Sequence, residues 1–205
     1  MRNPMRDTVV MHERKAAFAL LEAAEKSIDL EVLFAHQVVH ELNEHIDEIE
    51  KETSDAIGEL KVRLKRVDEV ASVYGSQGTT NLTHLDDHAN RGRAIVERWN
   101  AIATVVPQNS DITSRAFTRV NQAKTPARKG KDSMKDCVVI ETYLEVVSEL
   151  RSANLTTPIV FVSSNVKDFT GTNRTILKPD LGTDFLNLGL GYAPNMAAAK
   201  HLLGL

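Results

Sequence analysis

The sequence predicts an α/β fold built on a mainly parallel sheet, and three observations carry that reading. Two short apolar runs rich in β-forming residues, LEVLFA (30–35) and IVFVS (159–163), read as buried strands. Long stretches before, between and after them repeat apolar residues at helical spacing. Strands that alternate with helices, rather than with tight turns, are the pattern of a parallel sheet with helical crossovers.

Taken in order, residues 13–26 form an amphipathic helix, with Phe18, Leu20, Leu21 and Ala24 on its apolar side. The strand at 30–35 follows. A helical pattern then runs from 37 to 73 through Val38, Val39, Leu42, Ile46, Ile49, Ile57, Leu60, Leu64 and Val67, with Thr53-Ser54 and Gly58 as candidate breaks. YGSQGTTN (74–81) is a loop. The next helix spans 84–106 and stops at Pro107; residues 109–111 cap a short helix reaching 123. After the basic loop 124–131, residues 132–153 make a helix whose buried side is Val138, Val139, Tyr143, Leu144, Val147 and Leu150. Pro158 leads into the second strand, and a strand near 175–177 and a last helix near 195–203 complete the chain.

The bulk numbers bound the function. With 205 residues, 42% of them hydrophobic, the chain has enough material for one domain with a substantial core. A net charge of -3 excludes a uniformly basic surface, so any nucleic-acid contact must be a local patch. No stretch approaches the roughly 20 apolar residues that span a bilayer, and MRNPMRDTVVMHERK has no apolar signal region. One cysteine, Cys137, cannot build a disulfide framework or a multi-cysteine zinc site. Together these features lead to the expectation of a cytoplasmic protein without membrane contact.

Three segments place acids beside a strand end or a helix start. In LFAHQVVHELNEH, Glu41 lies in the first turns of a helix that directly follows a strand. In KGKDSMKDCVVIE, Asp132 and Asp136 are four residues apart, share one helix face and sit near its N-terminus, where the helix dipole favours anions. In FVSSNVKDF, Asn165 and Asp168 follow the carboxyl end of an apolar strand, where open α/β sheets place ligand sites, and Ser163 at that end is a possible supporting residue. Oxygen donors of this kind suit Mg²⁺ or Mn²⁺. Each acid also has a plainer role: Glu41 as a solvated helix residue, Asp132 as an N-cap, Asp168 and Asn165 as turn caps. Glu141 projects away from Asp136 around the helix and reads as a structural or supporting residue.

KDSMKDCVVIETYLE followed by FVSSNVKDF resembles the second half of a PIN domain, and VLFAHQVVHEL resembles the strand and helix that carry that family's first-helix glutamate. The resemblance implies a three-layer α/β/α sandwich, one PIN-like domain over 1–205 with a helical insertion at about 44–123, and metal-dependent cleavage of single-stranded RNA. It assigns Glu41, Asp132, Asp136 and Asp168 as catalytic, metal-holding acids, with Asn165 where many members carry aspartate. Many such proteins are toxins, so an antitoxin partner and a homo-oligomer belong to the same expectation. The chain departs from the family at its start. The family's first strand ends in aspartate, whereas Met1 to Arg6 do not make a strand before Asp7-Thr8. That strand reads as missing or degenerate.

Arg115, Arg119, Arg128, Lys129, Lys131 and Lys135, all within 21 residues, lead into the Asp132/Asp136 helix. Cations there could hold a phosphate backbone; a charge run is as often a solvated face. His36/His40 and His84/His88 are four apart but lack a third ligand, and His40 to His45 is one residue too long for the zinc-protease motif. Three functions stay open: a Mg²⁺- or Mn²⁺-dependent endoribonuclease, a catalytically impaired PIN-like binding module, and a helical interaction module built on the charged segment 44–70.

Overall fold

A computed structural model describes residues 11–26, 29–128, 133–173 and 175–205. The chain divides into two compact units. Among the described residues one unit holds Met11 and Leu42–Ala101, and the other holds His12–Glu41 and Ile102–Leu205. The elements, in chain order, are α1 (Met11–Lys26), β1 (Val32–Ala35), α2 (His36–Val73), a short 3₁₀ turn (Thr83–Leu85), α3 (His88–Ile102), β2 (Ala103–Val106), α4 (Ser110–Asn121), α5 (Met134–Ser152), β3 (Ile159–Val162), α6 (Val166–Phe169), α7 (Pro179–Leu188), β4 (Leu190–Ala193) and α8 (Met196–Leu202). No helix among the described residues is long and apolar enough to cross a membrane.

All strand pairing between these elements is parallel, but it forms two two-stranded ladders rather than one central sheet. β1 pairs with β2, Val32 opposite Ala103 through Ala35 opposite Val106. β3 pairs with β4, Ile159 opposite Leu190 through Val162 opposite Ala193. The α/β class therefore holds, while the predicted strands at 30–35 and 159–163 fall in separate ladders. Tyr143 of α5 links them. Its hydroxyl accepts from Ala35 N at 3.0 Å and donates to the Leu33 carbonyl at 3.3 Å. Its ring meets Phe161 of β3 at a centroid distance of 5.4 Å. Removing that hydroxyl in Tyr143→Phe should cost about 1–3 kcal/mol, because the amide of fully buried Ala35 loses its acceptor. Urea unfolding of the variant measures this directly, and an unchanged midpoint would show that the bond contributes nothing.

Other elements differ from the sequence reading for local reasons. α2 runs unbroken through Thr53, Ser54 and Gly58; the Thr53 hydroxyl donates to the Ile49 carbonyl within the helix, at 2.8 Å. The helix predicted to reach 106 ends at Ile102, and ATVV continues as β2, whose β-branched residues suit a strand. Residues 175–177 contribute only a single bridge, Thr170 to Leu177. Phe18, placed on the apolar side of α1, is 39% exposed, whereas Leu20 and Leu21 are buried as expected, together with Ala16. The last helix is capped twice: the Asn195 side chain accepts from Ala198 N, and Glu13 of α1 accepts from Met196 N and Ala197 N. Gly189 takes the left-handed conformation (φ 59°) that ends α7 and starts β4.

The core of the unit that carries the strands centres on Phe161, whose ring meets Phe169, Phe185 and Tyr192 at 5.6, 5.7 and 6.3 Å, the first two edge-on. Ile140, Val147, Leu181 and Leu190 close around it. A second cluster joins Ile112 and Ala116 of α4 to Cys137 and Val138 of α5, with Ala127 from the loop between them. Arg151 then ties the end of α5 to the rest through the carbonyls of Leu155, Thr157, Leu188 and Gly189. In the other unit, Arg93 of α3 pairs with Asp47 and Glu50 of α2. Asp68 receives both the amide and the hydroxyl of Thr80 as the chain returns.

Candidate functional site

One of the predicted acids, Asp168, meets the loop that precedes α5. Asp136 lies in the first turn of α5, and Asp168 lies in α6, three residues beyond the turn that closes β3. The loop carrying Thr125, Pro126, Ala127 and Arg128 precedes α5. Ala127 packs with Cys137, the residue after Asp136, and the Arg128 guanidinium reaches Asp168, with Nε 2.8 Å from Oδ1. The Asp168 side chain is 6% exposed. Arg128 also donates to the Lys167 carbonyl, and Lys178 Nζ donates to the Asp168 carbonyl at 2.8 Å. Ser163 shapes the turn: its hydroxyl accepts from Asn165 N and its carbonyl accepts from the Tyr192 hydroxyl. Asn165 caps α6 by position without a side-chain cap bond.

Glu41 occupies the second turn of α2, where its carboxylate accepts from Gln37 one turn earlier, at 2.8 Å. An oxygen-only donor set of Glu41, Asp136 and Asp168 has the right chemistry for a hard divalent cation. Among the described residues, however, no three His, Cys, Asp or Glu side chains gather closely enough to hold one. Those three acids do not fit a bound ion by themselves. Asp132, Lys129, Lys131 and the Asp7 first-strand question lie outside the described residues.

The cation patch is corrected in the same region. Arg119 is buried, 6% exposed, and binds Glu141 Oε1 at 2.6 Å, Asp184 Oδ2 at 2.8 Å and the Thr125 carbonyl at 2.8 Å. Burial acts to lower its pKa; the hydrogen bonds to Asp184 and Glu141 outweigh that and raise it above the usual guanidinium value. Arg115 pairs with Glu141 and Glu145. Three of the predicted phosphate-binding arginines are thus held by the protein's own carboxylates, and buried Glu141 is the partner that Arg115 and Arg119 share. Lys135 is exposed beside Asp136. Burial pushes the Cys137 thiol up to about 11. At neutral pH it stays protonated and should react with a thiol reagent far more slowly in the folded protein than in urea. Equal rates would show that Cys137 is accessible.

A feature the sequence did not reveal lies beyond the carboxyl ends of β1 and β2. An open cleft of about 470 Å³ is lined by His36, Pro107, Gln108, Asn109, Ser110 and Thr113. It became visible only once 103–106 was a strand, because that places Pro107 at a strand end rather than after a helix.

The parallel strand pairs place this chain in the α/β class, in which ligand sites commonly lie beyond the strands' carboxyl ends. Within that class, the model of the PIN domain family matches residues 7–169, most of the chain, and the chain belongs to that family. No curated protein and no solved structure matches it.

Proposed function

We propose that this chain is a Mg²⁺- or Mn²⁺-dependent endoribonuclease acting on single-stranded RNA, with Glu41, Asp132, Asp136 and Asp168 as its acids. Membership of the PIN family supports a nuclease-type module. The observation that supports the finer reading is the burial of Asp168 just past β3, where Arg128 reaches it, with Asp136 in the first turn of α5. Both acids fall inside the matched residues. A bound divalent ion would supply Lewis acidity toward the phosphodiester. The chain's own contribution is to hold the acids beyond β3 and at the start of the 19-residue helix α5, with exposed Lys135 beside them. Lys135 there can orient a phosphate as it approaches. A cytoplasmic location, an antitoxin partner and a homo-oligomer are further parts of this reading.

The test is cleavage of a labelled single strand by the wild type and by Glu41→Gln, Asp136→Asn and Asp168→Asn, with folding verified by circular dichroism. All three variants should lose Mn²⁺-dependent cleavage; full activity in any of them removes that acid from the assignment.

A second reading, a catalytically impaired PIN-like binding module, is favoured by one observation: Asp168 is already neutralised by Arg128. Under it, RNA is bound but left intact at every Mn²⁺ concentration.

A further inference from the structure

The cleft beyond the carboxyl ends of β1 and β2 is lined by none of the proposed acids. It lies within one unit, and its volume of about 470 Å³ falls in the range of small-ligand sites. Its walls are fixed from behind. The Asn109 side chain accepts from Ile112 N and donates to Glu145 of α5, which Arg115 holds in turn. The Thr113 hydroxyl accepts from the Gln108 amide and donates to the Asn109 carbonyl. Three polar groups at the cleft are left over. The His36 ring, the Gln108 side-chain oxygen and the Ser110 hydroxyl have no hydrogen-bond partner among the described residues. No lining residue is a lysine, an arginine, an aspartate or a glutamate. A phosphate or a metal ion would meet no opposite charge here, whereas a neutral ring with polar edges would find partners for them.

His36 supplies the flat surface that such a ring needs. It is exposed at the first residue of α2, and the His40 ring one turn on lies parallel to it, with 5° between the planes and 6.5 Å between centroids. Unstacked bases of single-stranded RNA are held in this manner, on the face of an aromatic side chain with hydrogen bonds to the base edge. The geometry points to a nucleobase site: one base of the RNA strand seats in the cleft against His36, with its edge toward Ser110 and the Gln108 oxygen. This rests on the reading of the chain as an RNA-cleaving enzyme. Glu41, one of the acids in that reading, lies five residues further along α2, about 7.5 Å by the helical rise. A base held at His36 therefore anchors the strand close to Glu41. Base and backbone are recognised separately: the cleft takes a base, and phosphates are left to exposed cations such as Lys135.

The experiment uses the full chain in EDTA, so that no strand is cut, and measures fluorescence anisotropy of two labelled strands of equal length: oligoadenylate, and an RNA backbone without bases. The wild type should bind oligoadenylate about tenfold more tightly than the abasic strand. His36→Ala should lose most of that preference while its affinity for the abasic strand and its salt dependence stay as in the wild type, because no phosphate contact is removed. His36→Phe, which keeps a ring face, should retain the preference. Equal affinity of the wild type for the two strands, or an unchanged preference in His36→Ala, overturns the base site and leaves the RNA reading standing. A loss in His36→Phe as large as in His36→Ala overturns it too, since a stacking ring is then not what the site supplies. If His36→Ala weakens both strands alike and flattens the salt dependence, His36 meets phosphate and the base site is wrong. If the wild type binds neither strand, the RNA reading fails and the base site falls with it.

Discussion

Arg119→Ala should unfold this protein more readily than any single change at its surface. The substitution removes a buried guanidinium from between Glu141, Asp184 and the Thr125 carbonyl, and it leaves Glu141, itself 9% exposed, with only the half-exposed Arg115 to balance it. Breaking a buried pair by removing one partner costs about 3–5 kcal/mol, because the remaining charge is stranded away from water. The loss is set by desolvation rather than by attraction, so replacing both partners should be much milder. Arg119→Met combined with Glu141→Leu, of similar bulk, should recover most of the stability lost by Arg119→Ala. Urea midpoints of the single and double variants separate the two effects. A single variant within about 1 kcal/mol of wild type would mean that water reaches this network.

Asp136→Asn should abolish Mn²⁺-dependent cleavage while leaving the fold intact. The residue lies in the first turn of α5 and is partly exposed, so the amide is accommodated sterically. Removing even one neutral pre-placed hydrogen-bond donor at a reacting centre lowers turnover by about 10²–10³-fold, and a carboxylate should matter at least as much. RNA affinity should be unchanged or slightly higher, since removing a carboxylate near Lys135 also removes repulsion toward phosphate. Lys135→Ala should do the reverse: weaker binding, with a shallower dependence on salt because one phosphate contact is lost. If Asp136→Asn weakens binding as much as cleavage, the acid supports the fold or the substrate rather than the chemistry.

Much of this architecture is legible in the sequence, and the failures have identifiable causes. VLFA and IVFV stand out because each is an apolar, β-rich run preceded by a break. ATVV does not, because Val96, Trp99 and Ile102 carry a helical spacing straight into it and no breaker intervenes before Pro107. LGYA is hidden by Gly191 and by its length of four residues. The acids stand out as candidates because each sits next to a strand end or a helix start, a local signal. The fate of the arginines was not found, because their partners are remote in sequence: Arg119 meets Glu141 22 residues away and Asp184 65 residues away. A run of cations written along the chain looks like a binding face; folding buries Arg119 and ties Arg115 and Arg128 to carboxylates.

The central claim is that a PIN-family chain with acids beyond β3 and at the start of α5 cleaves RNA in a metal-dependent manner. Its most direct test is a labelled single-stranded RNA incubated with the full chain, first in EDTA and then with Mn²⁺ added in excess. The account predicts intact RNA in EDTA, internal cleavage when Mn²⁺ is added, and loss of that cleavage when EDTA again exceeds the ion. RNA that is bound yet remains intact at every Mn²⁺ concentration, or that is cut equally in EDTA, would contradict it.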